Sequence, residues 1–404
     1  MKALVDLVRS STRRTFVSKN RKNINSVLQS GRHLVGSRLK LAFIMSKTKV
    51  LLLGAGFIAD IHLESYKRFV ADAEVVGIYS RREERAKEVS KHWGIANYYT
   101  DWKEAILKSG ADVVDICLPN FLHCATVCFA AENGLHVILE KPLCLSLEEA
   151  DLMIATCKKH GRKLMYAEEL CFAPKYERVR KTLEEGAVGK IFQLRQCEKH
   201  SGPHSDWFYN IEQSGGGALM DMGCHAFGWF RWILKRKAVK SVYATMRTLY
   251  HTGRTKAEDN SLAIAEFEDG TIGVAENSWA KQGGMDDRIE IYGTEGVVYA
   301  DLFVGNSALT YSEKGYGYAM EKAGSTKGWS FTIFEEVFNQ GYPHELAHFI
   351  DCVRNNKEPI VTGEDGRAVL EMMLAAYESA RTGAKVMLPF HPKVKKPIDL
   401  WLGI

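Results

Sequence analysis

Lys49-Val50-Leu51-Leu52-Leu53-Gly54-Ala55-Gly56-Phe57-Ile58-Ala59 is the stretch on which the fold turns. Its first five residues form a short, largely apolar run, the pattern of a strand buried on both faces. Gly54 permits a tight strand-to-helix turn. Gly56 lets the backbone approach a pyrophosphate, and the small Ala59 allows the next helix to pack close on the strand. The helix N-terminus, beginning at Phe57 and Ile58, adds partial positive charge for the phosphates. A Gly-x-Gly-x-x-Ala pattern alone recurs by chance. Here it follows a strand and opens a helix that runs to about Phe69, which makes it a dinucleotide site comprising Gly54, Gly56, Phe57 and Ile58.

Outward from that stretch the pattern repeats. Glu74 to Ser80 reads as a strand and Arg82 to Trp93 as a helix. Val113 to Leu118 is a strand stopped by Pro119, and Cys124 to Asn133 a helix closed by Gly134. Leu135 to Leu139 is an apolar strand that ends in Glu140-Lys141-Pro142. A helix from Leu147 to His160 and a strand from Lys163 to Ala167 follow. Alternating strands and helices predict a Rossmann-type doubly wound parallel sheet over residues 46–167. Ligands bind such sheets at the carboxyl ends of the strands, where Leu118, Glu140 and Lys141 stand.

The second strand ends in Ser80-Arg81-Arg82. NAD sites place Asp or Glu there for the ribose 2′-hydroxyl; serine and arginine suit a 2′-phosphate. The cofactor is therefore NADP or NAD, with NADP favoured by Ser80 and Arg81.

After residue 167 the rhythm changes. Residues 261–267 and 271–275 flank Glu268-Asp269-Gly270, and residues 288–292 and 297–300 flank Gly293-Thr294-Glu295-Gly296. These are hairpins. Helical patterns lie at 216–235, 343–355 and 364–382. Residues 168–404 are thus expected to form an α+β domain with an open, mainly antiparallel sheet.

The net charge of +5 is unevenly spread. Residues 1–45 hold ten Lys/Arg and one acid, while the rest holds 44 Lys/Arg against 48 Asp/Glu. The body has no basic field, which excludes nucleic acid as the expected partner. No apolar stretch is long enough to span a bilayer. The basic segment reads as a disordered extension before Met45, with a mitochondrial transit peptide as the other reading of its composition. Nine cysteines without a Cys-x-x-Cys pair suit reduced thiols in a cytoplasmic protein.

Gly215-Gly216-Gly217-Ala218-Leu219-Met220-Asp221-Met222-Gly223-Cys224-His225 carries the second signal. Asp221 and His225 are four apart, so on a helix they share a face, where a carboxylate orients an imidazole. Four motifs occur in order: Gly54-x-Gly56-x-x-Ala59, Pro119-Asn120-x-x-His123, Glu140-Lys141-Pro142, and the triple-glycine segment. Together they resemble the Gfo/Idh/MocA oxidoreductases, over residues 46 to about 390, with Thr362 to Ala368 matching a late helix start.

The resemblance implies hydride transfer between NAD(P) and a secondary alcohol or ketone of a sugar, sugar derivative or cyclitol. It makes Lys141 the lysine shared by substrate and nicotinamide, with Asp221 and His225 completing a triad in which His225 is the acid/base. It places Asn120 and Glu140 near the nicotinamide ribose, and His123 beside the cofactor. It also implies a homodimer or homotetramer through the second sheet. Glu168-Glu169 depart from the family's usual Asn or His; Glu168 is expected at the substrate, with His204 and Trp207 from a covering loop. No metal is expected: Gly202-Pro203 argues against His200 and His204 as a helical ligand pair, and the family uses none. An NAD-dependent glycosidase, or a cofactor-binding sensor, are the alternatives.

Overall fold

The computed structural model describes residues 46–303, 307–313, 325–333 and 335–404; the basic segment 1–45, and the expectation placed on it, lie outside them. Eleven elements make the first layer set: β1 (Thr48–Leu53), α1 (Phe57–Phe69), β2 (Ala73–Tyr79), α2 (Glu83–Trp93), β3 (Asn97–Tyr99), α3 (Trp102–Lys108), β4 (Val113–Ile116), α4 (His123–Glu132), β5 (His136–Glu140), α5 (Leu147–Lys159) and β6 (Leu164–Ala167). The strands lie in the order β3-β2-β1-β4-β5-β6, every neighbouring pair parallel. Helices cover both faces, so β1, β4, β5 and β6 are buried almost throughout. Side chains stop the helices from fraying. Asp101 accepts from the Lys103 and Glu104 amides at the start of α3, and Ser146 from the Glu149 amide at the start of α5. The order reverses between β1 and β4, and the cleft described below opens at their carboxyl ends.

The chain then runs through α6 (Pro174–Glu184), β7 (Ile191–Lys199), a short helix α7 (Ile211–Ser214), a π-helical turn Leu219–Gly223, and α8 (Cys224–Ile233). Strands β8 (Val239–Arg247), β9 (Asn260–Phe267), β10 (Ile272–Ser278), β11 (Asp286–Gly293) and β12 (Val297–Asp301) follow. Next come β13 (Ser307–Ser312) and β14 (Gly328–Ile333), then α9 (Glu336–Gln340), α10 (Tyr342–Arg354), α11 (Gly363–Thr382), β15 (Val386–Met387) and α12 (Pro397–Leu402). A seven-stranded sheet has the order β12-β11-β7-β10-β9-β8-β15. Both hairpins read from the sequence are present, as β9–β10 and β11–β12. One pair, β7–β10, is parallel. The cause is connectivity: β7 occupies the centre, and the β8-β9-β10 meander returns from the edge to lie beside it.

Strands β8 and β9 alternate between buried and more exposed residues, the signature of a sheet with one covered face. α11 covers β8, and α8 with the π-helical turn covers β7 and β10. α11 begins with a capping box in which Thr362 and Asp365 satisfy each other's backbone amides. No helix among the described residues is long and apolar enough to cross a membrane. The nine cysteines are free thiols, buried or half-buried.

Candidate active site

A cleft of roughly 940 Å³, including its open mouth, lies between the carboxyl ends of the parallel strands and one face of the second sheet. Its floor begins at the glycine turn. Gly54 has φ +127°, and a Cβ there would stand 2.2 Å from the Cys117 carbonyl oxygen, so only glycine fits. Gly56 caps α1 with no side-chain hydrogen bond, and a Cβ added to it would meet nothing within 4 Å. Free amides at a helix N-terminus beside open space fit a dinucleotide pyrophosphate. Phe57, Ile58, Leu118 and Asn120 line the same wall. Ser80 and Arg81 stand beyond the cleft, just past β2, whose Tyr79 carbonyl accepts from the Gly54 amide at 3.0 Å. Arg85 donates to the Ala55 carbonyl at 2.9 Å and bonds Asp60, clamping the turn from the α2 side.

Lys141 ends β5 and reaches across to the π-helical turn. Its Nζ donates to the Asp221 carbonyl at 3.0 Å and lies 3.4 Å from Asp221 Oδ1. Burial works against the ammonium, but the Asp221 carboxylate and further buried acids overcome it, so the Lys141 pKa is raised well above its ordinary value. Asp221 is held in turn. Trp279 Nε1 donates to its Oδ2 at 2.9 Å, and despite burial the Lys141 charge takes its pKa down to about 2.

His225 does not lean on Asp221. Its Nδ1 stands 2.8 Å from Glu168 Oε1 and 3.6 Å from Glu169 Oε2. The i,i+4 pairing expected of an α-helix fails because Leu219–Gly223 is a π-helical turn, whose extra residue takes Asp221 out of phase with the imidazole. Burial lowers the His225 pKa to about 4, against the pull of Glu169, and burial raises that of Glu168. Glu168 is fully buried and does not line the cleft; Glu169, its neighbour, does, with Tyr342 donating to it at 3.2 Å. The expected substrate contact at Glu168 is therefore corrected: this carboxyl stands behind the imidazole. A turn after β6 points the two adjacent side chains differently.

His123 is likewise behind the wall. It is fully buried, with one ring nitrogen 2.8 Å from the Leu118 carbonyl and the other near the carbonyls of Pro142 and Leu143. It ties the ends of β4 and β5 together and does not itself face the cleft. Glu140 does face it. Its Oε2 accepts from the Lys141 amide at 3.0 Å, and its Oε1 lies 3.0 Å from His62 Nε2. His62, buried in the middle of α1, also lies 2.9 Å from Asp115, which accepts from Tyr66 as well. Burial opposes a charge on His62, yet Asp115 raises its pKa well above the usual value; Glu140, opposed likewise by burial, is lowered chiefly by His62.

His204 and Trp207 line the cleft as expected, His204 stacked on Phe57 at 4.2 Å and Trp207 on Phe208 at 3.8 Å. Sequence reasoning missed Glu198, Asp287 and Tyr342, which also line it, as well as His62. For Glu198 the signal was there: it is two residues before His200, which follows β7 directly, and in extended chain that spacing puts both on one face. Among the described residues, acid, thiol and imidazole groups converge at Glu168, Glu169 and His225, and at His62, Asp115 and Cys117.

Two family models match the chain. One, an oxidoreductase family with an NAD-binding Rossmann fold, covers residues 48–168; the other, a GFO/IDH/MocA C-terminal domain, covers 176–299. The chain is 30% identical to scyllo-inositol 2-dehydrogenase (NAD(+)) of Bacillus subtilis, over 85% of its own length and 96% of that protein. It is 29% identical to myo-inositol 2-dehydrogenase of Thermotoga maritima, over 84% and 98%. The crystal structure of GenD2 from gentamicin A biosynthesis, in complex with NAD, superposes with a TM-score of 0.81 at 30% identity, covering 86% of this chain and 97% of that one. A glycine turn built for a dinucleotide, a lysine–aspartate pair and a buried histidine at the carboxyl ends of a Rossmann sheet, and both family models point one way: the chain belongs to the Gfo/Idh/MocA oxidoreductases, enzymes that use NAD(P) to act on CH–OH groups.

Proposed function

We propose that the protein oxidises a secondary alcohol of a sugar, sugar derivative or cyclitol, or reduces the matching ketone. The observation that carries this reading is the convergence of Lys141, Asp221 and His225 on one cleft with the glycine turn. The inositol dehydrogenases among its relatives support the substrate class. The turn at Gly56, Phe57 and Ile58 would hold NAD(P)+, which would supply the hydride acceptor for the carbinol carbon. The residues handle the proton. With the proton shared between Nδ1 and Glu168 resting on Nδ1, His225 Nε2 keeps its lone pair and removes the hydroxyl proton. Lys141 keeps a donor beyond its two contacts to Asp221 and directs it at the same oxygen, stabilising developing alkoxide. Asp221 balances the lysine charge and, with Trp279, fixes its place. Lys141→Ala and His225→Ala are each expected to lower kcat by about 100-fold or more on a substrate found by screening sugars and cyclitols. Near-normal turnover in both variants excludes this mechanism.

The cofactor reading is NADP, on Ser80 and Arg81 at the end of β2, with no carboxylate in the ribose position. Fluorescence titration is expected to give a lower Kd for NADPH than for NADH, and Arg81→Ala to erase the difference; tighter NADH binding reverses the assignment. Self-association through the outer face of the second sheet belongs to the same reading, as does a cytoplasmic setting, supported by unpaired cysteines.

A further inference from the structure

The cleft holds more carboxyl groups than the proposed reaction uses. Glu140 faces the buried His62 cation and Asp221 faces Lys141. Glu198 and Asp287 line the same cleft with no lysine or arginine in ion-pair distance among the described residues, and Lys141 is the one such side chain in its lining. They are direct cross-strand partners on β7 and β11, a juxtaposition that like charges make unfavourable. Asp287 is partly satisfied, its Oδ1 accepting from the Tyr176 hydroxyl at 2.9 Å and the Gln196 amide at 3.4 Å. Glu198 is 4% exposed, and its Oε2 has no hydrogen-bond partner.

A buried, unpartnered carboxyl group is costly to keep. A substrate offering only hydroxyls does not need it, because an amide or hydroxyl side chain accepts those bonds without the repulsion. A ligand ammonium removes the cost: it brings the missing positive charge and donates to both strands. A divalent cation fits less well, since Glu198 and Asp287 belong to neither group of converging metal-ligand atoms. Burial, with the charge of Asp287 acting on Glu198 and that of Glu169 on Asp287, holds both carboxyl groups toward the protonated form, a state that a ligand cation reverses.

We propose that the cleft selects a polyhydroxylated ring carrying an ammonium group, an aminosugar or amino-cyclitol, with Glu198 receiving the ammonium beside Asp287. This rests on the reading of the cleft as the site of alcohol oxidation. The test uses the enzyme with its reduced cofactor bound, so that binding is measured without turnover. Calorimetry compares 2-amino-2-deoxy-, 3-amino-3-deoxy- and 6-amino-6-deoxy-D-glucose with D-glucose, and scyllo-inosamine with scyllo-inositol. At least one amine is expected to bind tenfold or more tightly than its hydroxyl counterpart, and the near-isosteric Glu198→Gln to abolish that preference. The proposal is overturned if no amine outbinds its counterpart in the wild-type protein, or if Glu198→Gln keeps the preference. Failure of the underlying oxidation reading looks different: compounds of either kind bind, yet none reduces NAD(P)+.

Discussion

Lys141 and His225 are both buried near acids, yet burial leaves them in opposite states. The lysine stays charged because Asp221 touches it; the histidine stays neutral because burial of the ring, helped by the Lys141 charge, outweighs the pull of Glu169. A histidine that keeps its lone pair down to about pH 4 gives a base that does not switch off in mild acid. The sign is direct: the active form exists above the pKa, and the pKa is lowered. The acid limb of log kcat/KM is therefore expected below pH 6, well under the ordinary imidazole range; a limb near 6.5–7 rules out a His225 base in this environment. The meeting of Lys141, Asp221 and His225 at one cleft was expected from the resemblance that the ordered motifs carry. Their wiring was not legible, because a spacing of four gives one face only in an α-helix, and the residue that holds His225, Glu168, lies 57 positions away.

The π-helical turn is the element on which the reacting geometry rests. A Cβ on Gly217 would stand 1.8 Å from the Glu258 carbonyl oxygen, so the chain passes as closely as a glycine allows. The buried Glu258 carboxyl accepts from the Gly217 and Leu219 amides and from the Tyr377 hydroxyl, satisfying donors that the turn cannot satisfy itself. Gly217→Ala is expected to destabilise the protein by about 1–3 kcal/mol, and Glu258→Ala by a similar amount, seen as lower Tm, each with a disproportionate drop in kcat. Unchanged melting in both removes this support role. The sequence pattern placed a helix from residue 216, and glycine-rich entry was visible in it. The π-helical register was not, since it depends on a carboxyl contributed from a loop some forty residues later.

At the scale of the molecule, chain rhythm tells the two sheets apart: strands alternating with helices mark the parallel sheet, and strand pairs flanking short turns the second one. The parallel β7–β10 pair escaped notice because strand order is set by where the connections return. The outer face of that second sheet exposes Tyr243, Leu262 and Ile272, an apolar patch of the kind that marks an interface. Light scattering is expected to show a dimer or tetramer, and Tyr243→Glu with Leu262→Glu to yield a smaller species that keeps its fold by circular dichroism; a monomeric wild-type protein refutes the sheet-mediated assembly.

Residues proposed to react hang on the end of β5, the π-helical turn and the start of α8, whereas Glu198 and Asp287 hang on β7 and β11. Descendants of such a scaffold are free to diverge in diet while inheriting their chemistry intact. For anyone evolving this enzyme in the laboratory, the economical library randomises the two strands and leaves the turn alone.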